Sequence, residues 1–241
     1  MDADIRTNLE TVQKRIAAAA ARANRDRSEI RLVAVSKTHP ATLVRQAIDA
    51  GASVFGENKV QEAESKILDV GRDAAEWHLI GHLQSNKARK AVQLFDVIQS
   101  VDSLDLAQRL ERICEEEGRD KLSVFVQVDL GRETTKTGIA EGGLAKLAGF
   151  LTTCKCLKFN GLMIVPPFFE EGEKTRAYFA RLREIRDSLV EQKAFANGRG
   201  ELSMGMSHDF EVAIEEGSTV VRVGTAIFGE RGKNVATDKG G

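Results

Sequence analysis

Apolar and polar residues alternate with two different periods along the chain. In the first 25 residues, Ile5, Leu9, Val12, Ile16 and Ala20 recur at spacings of 4, 3, 4 and 4, the stripe of an amphipathic helix. The period then changes. Ile30 to Ser36 (IRLVAVS) is a short β-branched run that stops at Lys37-Thr38-His39-Pro40. Pro40 can open a helix but cannot continue a strand. Positions 41–50 return to helical spacing through Leu43, Val44, Ala47 and Ile48, and Gly51 closes the helix.

The same alternation repeats to the end of the chain. Further strands are predicted at 53–56, 77–81, 96–100, 122–128, 157–165, 202–205 and 219–223. Helices are predicted between them at 59–70, 87–94 and 141–152, and at 207–216 and 225–228. Two more follow a Ser103 cap through Leu106, Leu110 and Ile113, and run through Phe179, Leu182, Ile185 and Leu189. Apolar strands alternating with helices specify a parallel sheet with helices outside it. Eight such strands within 241 residues predict an α/β fold, a single (β/α)8 TIM barrel with an additional N-terminal helix. The glycine-rich dinucleotide fingerprint of an open doubly wound sheet does not follow the first strand. No linker interrupts the interior. Residues 1–231 therefore read as one domain and 232–241 (GKNVATDKGG) as a disordered tail.

Composition narrows the class. Apolar residues are 42%, and 35 basic residues against 36 acidic ones give a net charge of −1. That balance lacks the basic excess of a nucleic-acid binder and permits a monomer. Three cysteines, an odd number, fit a reducing compartment better than a disulfide framework. No apolar run approaches the ~20 residues of a membrane helix, and the N-terminus MDADIRTNLE lacks an apolar signal region. The expectation is a cytoplasmic protein with neither membrane nor nucleic acid as partner.

In such barrels the chemistry sits at the C-terminal ends of the strands. Lys37 follows the first strand. An amine emerging from a buried strand tends to lose its proton, and a neutral amine attacks aldehydes to form a Schiff base; the plain alternative is a lysine reaching solvent. Ser203-Met204-Gly205-Met206-Ser207 and Val223-Gly224-Thr225 each precede a predicted helix, as an anion cradle would. Ser207 as a mere N-cap and Gly224 as a mere turn are the alternatives. Arg222, between Val221 and Val223, needs an acceptor from a ligand or from a structural acid. His78 and His82 lie on a strand pattern and read as hydrogen-bonded side chains. Cys154 and Cys156 form a lone CxC without the four ligands of a zinc site. In the loop GRETTKTG (131–138), Arg132 and Lys136 either close over the site or face water.

Several segments, taken in order, resemble one family. AVSKT (34–38), FGENKVQE (55–62), WHLIGHLQSNK (77–87), GRETTKTG, GLM (161–163), LSMGMS (202–207) and VRVGTAIFGER (221–231) are similar to the pyridoxal phosphate homeostasis proteins. One departure is Phe210, where the family often has Met. The resemblance implies a barrel like the N-terminal domain of bacterial alanine racemases, with pyridoxal 5′-phosphate joined to Lys37. It implies phosphate contacts from Ser203, Gly224 and Thr225, with the amides of Met206 and Ser207. It sets Arg222 at the pyridine nitrogen, Asn58 near the ring's polar edge, and His82 and Met163 in the lining. A racemase of this kind takes a second base, a tyrosine, from a C-terminal β-domain. Here the chain ends at Gly241, shortly past the barrel, and its single tyrosine, Tyr178, falls in an outer helix. The expectation is a carrier or buffer that maintains intracellular vitamin B6 homeostasis, with apo-enzymes that use the cofactor as recipients, and not an enzyme. A racemase-like enzyme is the alternative, and a lysine aldolase acting on a sugar phosphate is a third reading.

Overall fold

The computed structural model describes residues 4–131 and 137–229. Arg132, Lys136 and the tail 232–241 lie outside the described residues. The strands are β1 (Arg31–Val35), β2 (Val54–Glu57), β3 (Glu76–Leu79), β4 (Val97–Val101), β5 (Leu122–Asp129), β6 (Ile139–Ala140), β7 (Leu157–Met163), β8 (Glu201–Ser203) and β9 (Val220–Val223). They pair in the order β4-β3-β2-β1-β9-β8-β7-β5, and β4 pairs β5 to close the ring. All these pairings are parallel. The eight-stranded TIM barrel expected from the sequence is therefore present. The short β6 adds to β5 outside the ring; two residues carry no readable period.

The helices are α1 (Ile5–Arg22), α2 (Ala41–Asp49), α3 (Val60–Val70), α4 (Ala88–Leu94), α5 (Leu104–Glu116), α6 (Glu141–Thr153), α7 (Arg176–Glu191), α8 (Phe210–Glu215) and α9 (Thr225–Phe228). α1 is the additional N-terminal helix. Asp4 caps it by accepting from the Thr7 amide. Its stripe of Ile5, Leu9, Val12, Ile16 and Ala20 is buried, and it packs on α8 and α9. Arg15 adds a two-pronged pair to Glu211 at 3.0 and 2.9 Å and covers the Phe210 ring. Among the described residues, no helix is long and apolar enough to cross a membrane.

A closed parallel barrel buries both faces of each strand, which is why the strands read as unbroken apolar runs. Inward-facing Val33, Val54, Val97, Phe125, Met163 and Val220 form one core, and a larger one fills the space between strands and helices. Register sets Val33 beside Arg222, Val97 beside His78, and Met163 beside both Gln127 and Ser203. Polar side chains thus share the inward face with the apolar core. Two predicted boundaries differ near the site. The strand expected at 202–205 ends at Ser203, and the helix expected from 207 begins at Phe210. The Asp209 side chain accepts from the Met206 amide at 2.6 Å and so holds the intervening residues in a turn.

Candidate functional site

The site begins where β1 ends. Ser36 still pairs with β2, its amide donating to Gly56 O at 3.1 Å. Lys37 follows, and Thr38 turns the chain with φ +67°, a region that β-branched residues rarely enter. A buried polar cluster holds this turn from behind. Lys66 Nζ donates to Ser36 O at 2.6 Å and to Glu57 Oε1 and Glu62 Oε1, both at 2.8 Å. Ser36 Oγ donates to Glu57 Oε1 at 2.6 Å, and Glu62 accepts from the Thr38 amide. Burial raises the Glu57 carboxyl, although Lys66 and Ser36 oppose the rise. The residues on both sides of Lys37 are therefore fixed by α3 and β2.

Lys37 opens into a cavity of about 390 Å³ at the C-terminal mouth of the barrel. The first strand's turn contributes Val35, Lys37 and His39 to its wall, and Ile80 follows β3. The loops after β8 and β9 contribute Met206, Ser207, His208, Gly224, Thr225 and Gly229. These two loops are joined: the Gly224 amide donates to Ser207 Oγ at 3.3 Å. Gly224 also sits close to β1, since a Cβ there would lie 3.1 Å from Val35 O. His39 stacks on Phe228 with ring centres 5.1 Å apart. At the rim, Phe168 is 74% exposed and meets the His208 ring at 5.1 Å.

Arg222 forms the floor. It is 3% exposed, and burial pulls its guanidinium down to about 10. Nη1 donates to Ser203 Oγ at 2.6 Å and Nη2 to Ile164 O at 2.8 Å. Asp209 favours its charge through space, and burial raises the Asp209 carboxyl in turn. Among the described residues Arg222 thus has no direct ion pair, and it is almost entirely buried.

The lining holds a lysine, an arginine, two histidines and two hydroxyls, and among the described residues no carboxylate or tyrosine lines it. Such a donor set suits an anion at the Ser207–Gly224–Thr225 end and a carbonyl carbon within reach of the amine. Val35, Ile80, Met206 and Phe168 offer apolar walls to a flat body between them.

Of the residues singled out in the sequence, Lys37, Met206, Ser207, Arg222, Gly224 and Thr225 line this cavity. Four others do not. Met163 is fully buried in the inner core. Ser203 is fully buried, its hydroxyl donating to Gln99 Oε1 at 2.6 Å while accepting from Arg222. His82 pairs with Asp102 at 3.1 Å on the exposed rim. The backbone of Asn58 packs against Gly81, whose Cβ would meet Asn58 O at 2.3 Å. The Met206 amide expected for the anion is held by Asp209, and Ser207 is not an N-cap, since α8 starts at Phe210 behind Asp209. His39, His208, Ile80 and Phe168 were not foreseen. For the two histidines a signal existed, as His208 adjoins Ser207 and His39 lies two residues beyond Lys37.

The sequence profile of the alanine racemase N-terminal domain family matches residues 7–232. A pyridoxal phosphate homeostasis protein of Aquifex aeolicus is 40% identical over 223 residues, covering 92% of this chain and 96% of that protein. Its Escherichia coli counterpart is 42% identical over 233 residues, covering 95% and 97%. The solved structure of PipY from Synechococcus elongatus with PLP bound is 42% identical, covers 90% of this chain and 100% of its own, and superposes with a TM-score of 0.78.

Proposed function

Since the chain belongs to the pyridoxal phosphate homeostasis protein family, with the alanine racemase N-terminal domain fold, we propose that it binds pyridoxal 5′-phosphate reversibly and holds it for use elsewhere. The observation that carries this reading is a single cavity lined by Lys37, Arg222 and the joined Ser207–Gly224 loops, without a carboxylate among the described lining residues. When bound, the cofactor supplies an aldehyde carbon that a lysine amine joins reversibly. Lys37 is the amine in reach. Ser207, Gly224 and Thr225 hold the phosphate through hydroxyls and amides. Arg222 faces the pyridine nitrogen and keeps a cation there, which disfavours a proton on that nitrogen and weakens the ring as an electron sink. That electrostatic choice suits storage better than turnover. Apo-enzymes that require the cofactor are the recipients, reached through the open mouth beneath Phe168.

The experiment is absorption spectroscopy of the protein loaded with pyridoxal phosphate, then borohydride reduction and peptide mapping. A yellow protein with a phosphopyridoxyl adduct on Lys37 is expected. A protein that cannot be reconstituted, or one labelled elsewhere with Lys37 untouched, would overturn the reading. The domain relationship to alanine racemases favours one second reading, a racemase-like turnover. Amino acids incubated in deuterated water with the loaded protein decide it: stereospecific exchange of the α-hydrogen at enzyme-like rates would displace the carrier role.

A further inference from the structure

His78, Gln99 and Ser203 face the barrel interior, are at most 1% exposed, and do not line the cavity. They form one hydrogen-bonded chain with Arg222. Arg222 Nη1 donates to Ser203 Oγ at 2.6 Å, and Ser203 Oγ to Gln99 Oε1 at 2.6 Å. Gln99 Nε2 lies 2.7 Å from His78 Nδ1, and His78 Nε2 lies 2.9 Å from Glu76 Oε1. Glu76 Oε1 also accepts from Arg31 Nη1 at 2.9 Å. The chain therefore crosses the barrel from the cavity floor to the N-terminal edge of β3, where Glu76 and Arg31 reach solvent.

The two ends and the placement of the Gln99 amide set the direction of the links. Arg222 has only donors, and ionised Glu76 has only acceptors. Several groups act on Glu76: His78 and Arg31 pull its carboxyl below the ordinary value while burial pulls it up. Ser203 has one hydroxyl proton. With the Gln99 amide set with Oε1 toward it, Ser203 gives that proton to Gln99 Oε1 while accepting from Arg222. Gln99 then presents its NH2 to His78, so Nδ1 is the bare nitrogen and Nε2 carries the proton given to Glu76. Turning the Gln99 amide over would make Ser203 Oγ accept twice and take the Gln99 acceptor from its buried proton, and His78 would need a second proton to meet both Gln99 and Glu76; unpaired buried polar groups are costly.

We propose that Gln99 and His78 are positioning residues for Arg222: through Ser203 this one-way chain fixes which edge of the guanidinium is pinned and hence its setting toward the bound ring. This rests on the reading of Arg222 as the partner of the pyridine nitrogen. Ser203 Oγ and Ile164 O pin two of its nitrogens, and the neutral imidazole across the barrel decides which way the serine hydroxyl points.

The test uses the full chain and two readouts. The first is ¹⁵N NMR of the histidine rings without ligand. His78 is expected as the Nε2–H tautomer. In Gln99→Glu the new carboxylate cannot donate to Nδ1, so His78 is expected to take a second proton. The second readout is the absorption band and affinity of bound pyridoxal phosphate. In Gln99→Glu the band is expected to shift and the affinity to fall about 3- to 10-fold. If that variant does not fold, Gln99→Met serves: the His78 tautomer stays, still set by Glu76, while the band and affinity shift. An Nδ1–H tautomer in the wild-type protein, or a wild-type band and affinity in the variant that folds, would overturn the proposal. Failure of the wild-type protein to take up the cofactor is a separate result. It would remove the functional reading, whereas the tautomer, read on ligand-free protein, still reports on the chain.

Discussion

Lys66 Nζ donates to the backbone oxygen of Ser36 at 2.6 Å, one residue before Lys37. A buried ammonium from α3 thus fixes the turn that presents the site's amine. The same nitrogen neutralises Glu57, which is fully buried. Removing it as Lys66→Met leaves an uncompensated buried carboxylate, so we expect a loss of about 3–5 kcal/mol in urea denaturation. Adding Glu57→Gln should recover much of that loss, because the cost lies in the stranded charge. Borohydride trapping at Lys37 should slow in Lys66→Met at temperatures where it remains folded. Trapping at the wild-type rate would show that the clamp serves stability alone.

Gly205 follows β8 with φ +95°. A Cβ there would lie 2.6 Å from Ala213 Cβ and 2.8 Å from Phe210 Cα. Gly205→Ala combines a left-handed backbone with overpacking against α8, and should cost about 3 kcal/mol or more. Gly149 is the control: it is exposed within α6, and a methyl group there would meet nothing within 4 Å. Gly149→Ala should stabilise by about 0.5–1 kcal/mol. Urea titrations of both variants check the contrast.

Glu111 on α5 accepts from the amides of Lys155, Cys156 and Leu157 at 2.6, 3.0 and 2.9 Å, fastening the start of β7. Partial burial raises its carboxyl, but the three amides together lower it below the ordinary value of 4.5. A carboxyl lowered by folding stabilises the fold above its ordinary value, and that contribution is lost as pH falls through the lowered one. Glu111→Gln should therefore cost about 1.5–3 kcal/mol at neutral pH. The gap in Tm between wild type and variant should narrow steadily below pH 4.5. A gap independent of pH would mean that the charge is irrelevant there.

Ser207 and Thr225 supply the two hydroxyls of the cavity lining, where the proposed function seats the phosphate. Replacing both with alanine should weaken binding of pyridoxal phosphate about 10- to 100-fold. Binding of pyridoxal, which lacks the phosphate, should change little. Equilibrium dialysis with the two ligands measures the difference, and equal losses for both would place the phosphate elsewhere.

The sequence was most legible where structure depends on neighbours. The switch between helical and strand periods marked all eight barrel strands, because a strand buried on both faces must be apolar throughout and a covering helix only on one side. Lys37 was legible for the same reason, as a charge that ends an apolar run. So were Arg222 and the small residues at 207 and 224–225, which interrupt or follow such runs close to a turn.

What lies beneath the site was not legible. Ser203 and Met163 occupy adjacent positions on neighbouring strands, yet neither lines the cavity. Pleating sends both side chains inward, and closure of the ring then buries them below the floor. Ser203 and Gln99 are 104 residues apart in sequence and hydrogen-bonded across the barrel. Local pattern alone determined the eight barrel strands and the helices between them, though not every boundary, as the stretch from Ser203 to Phe210 shows. Which of their residues meet was decided only by the closed ring, because strand register and barrel closure bring together side chains that no local period relates.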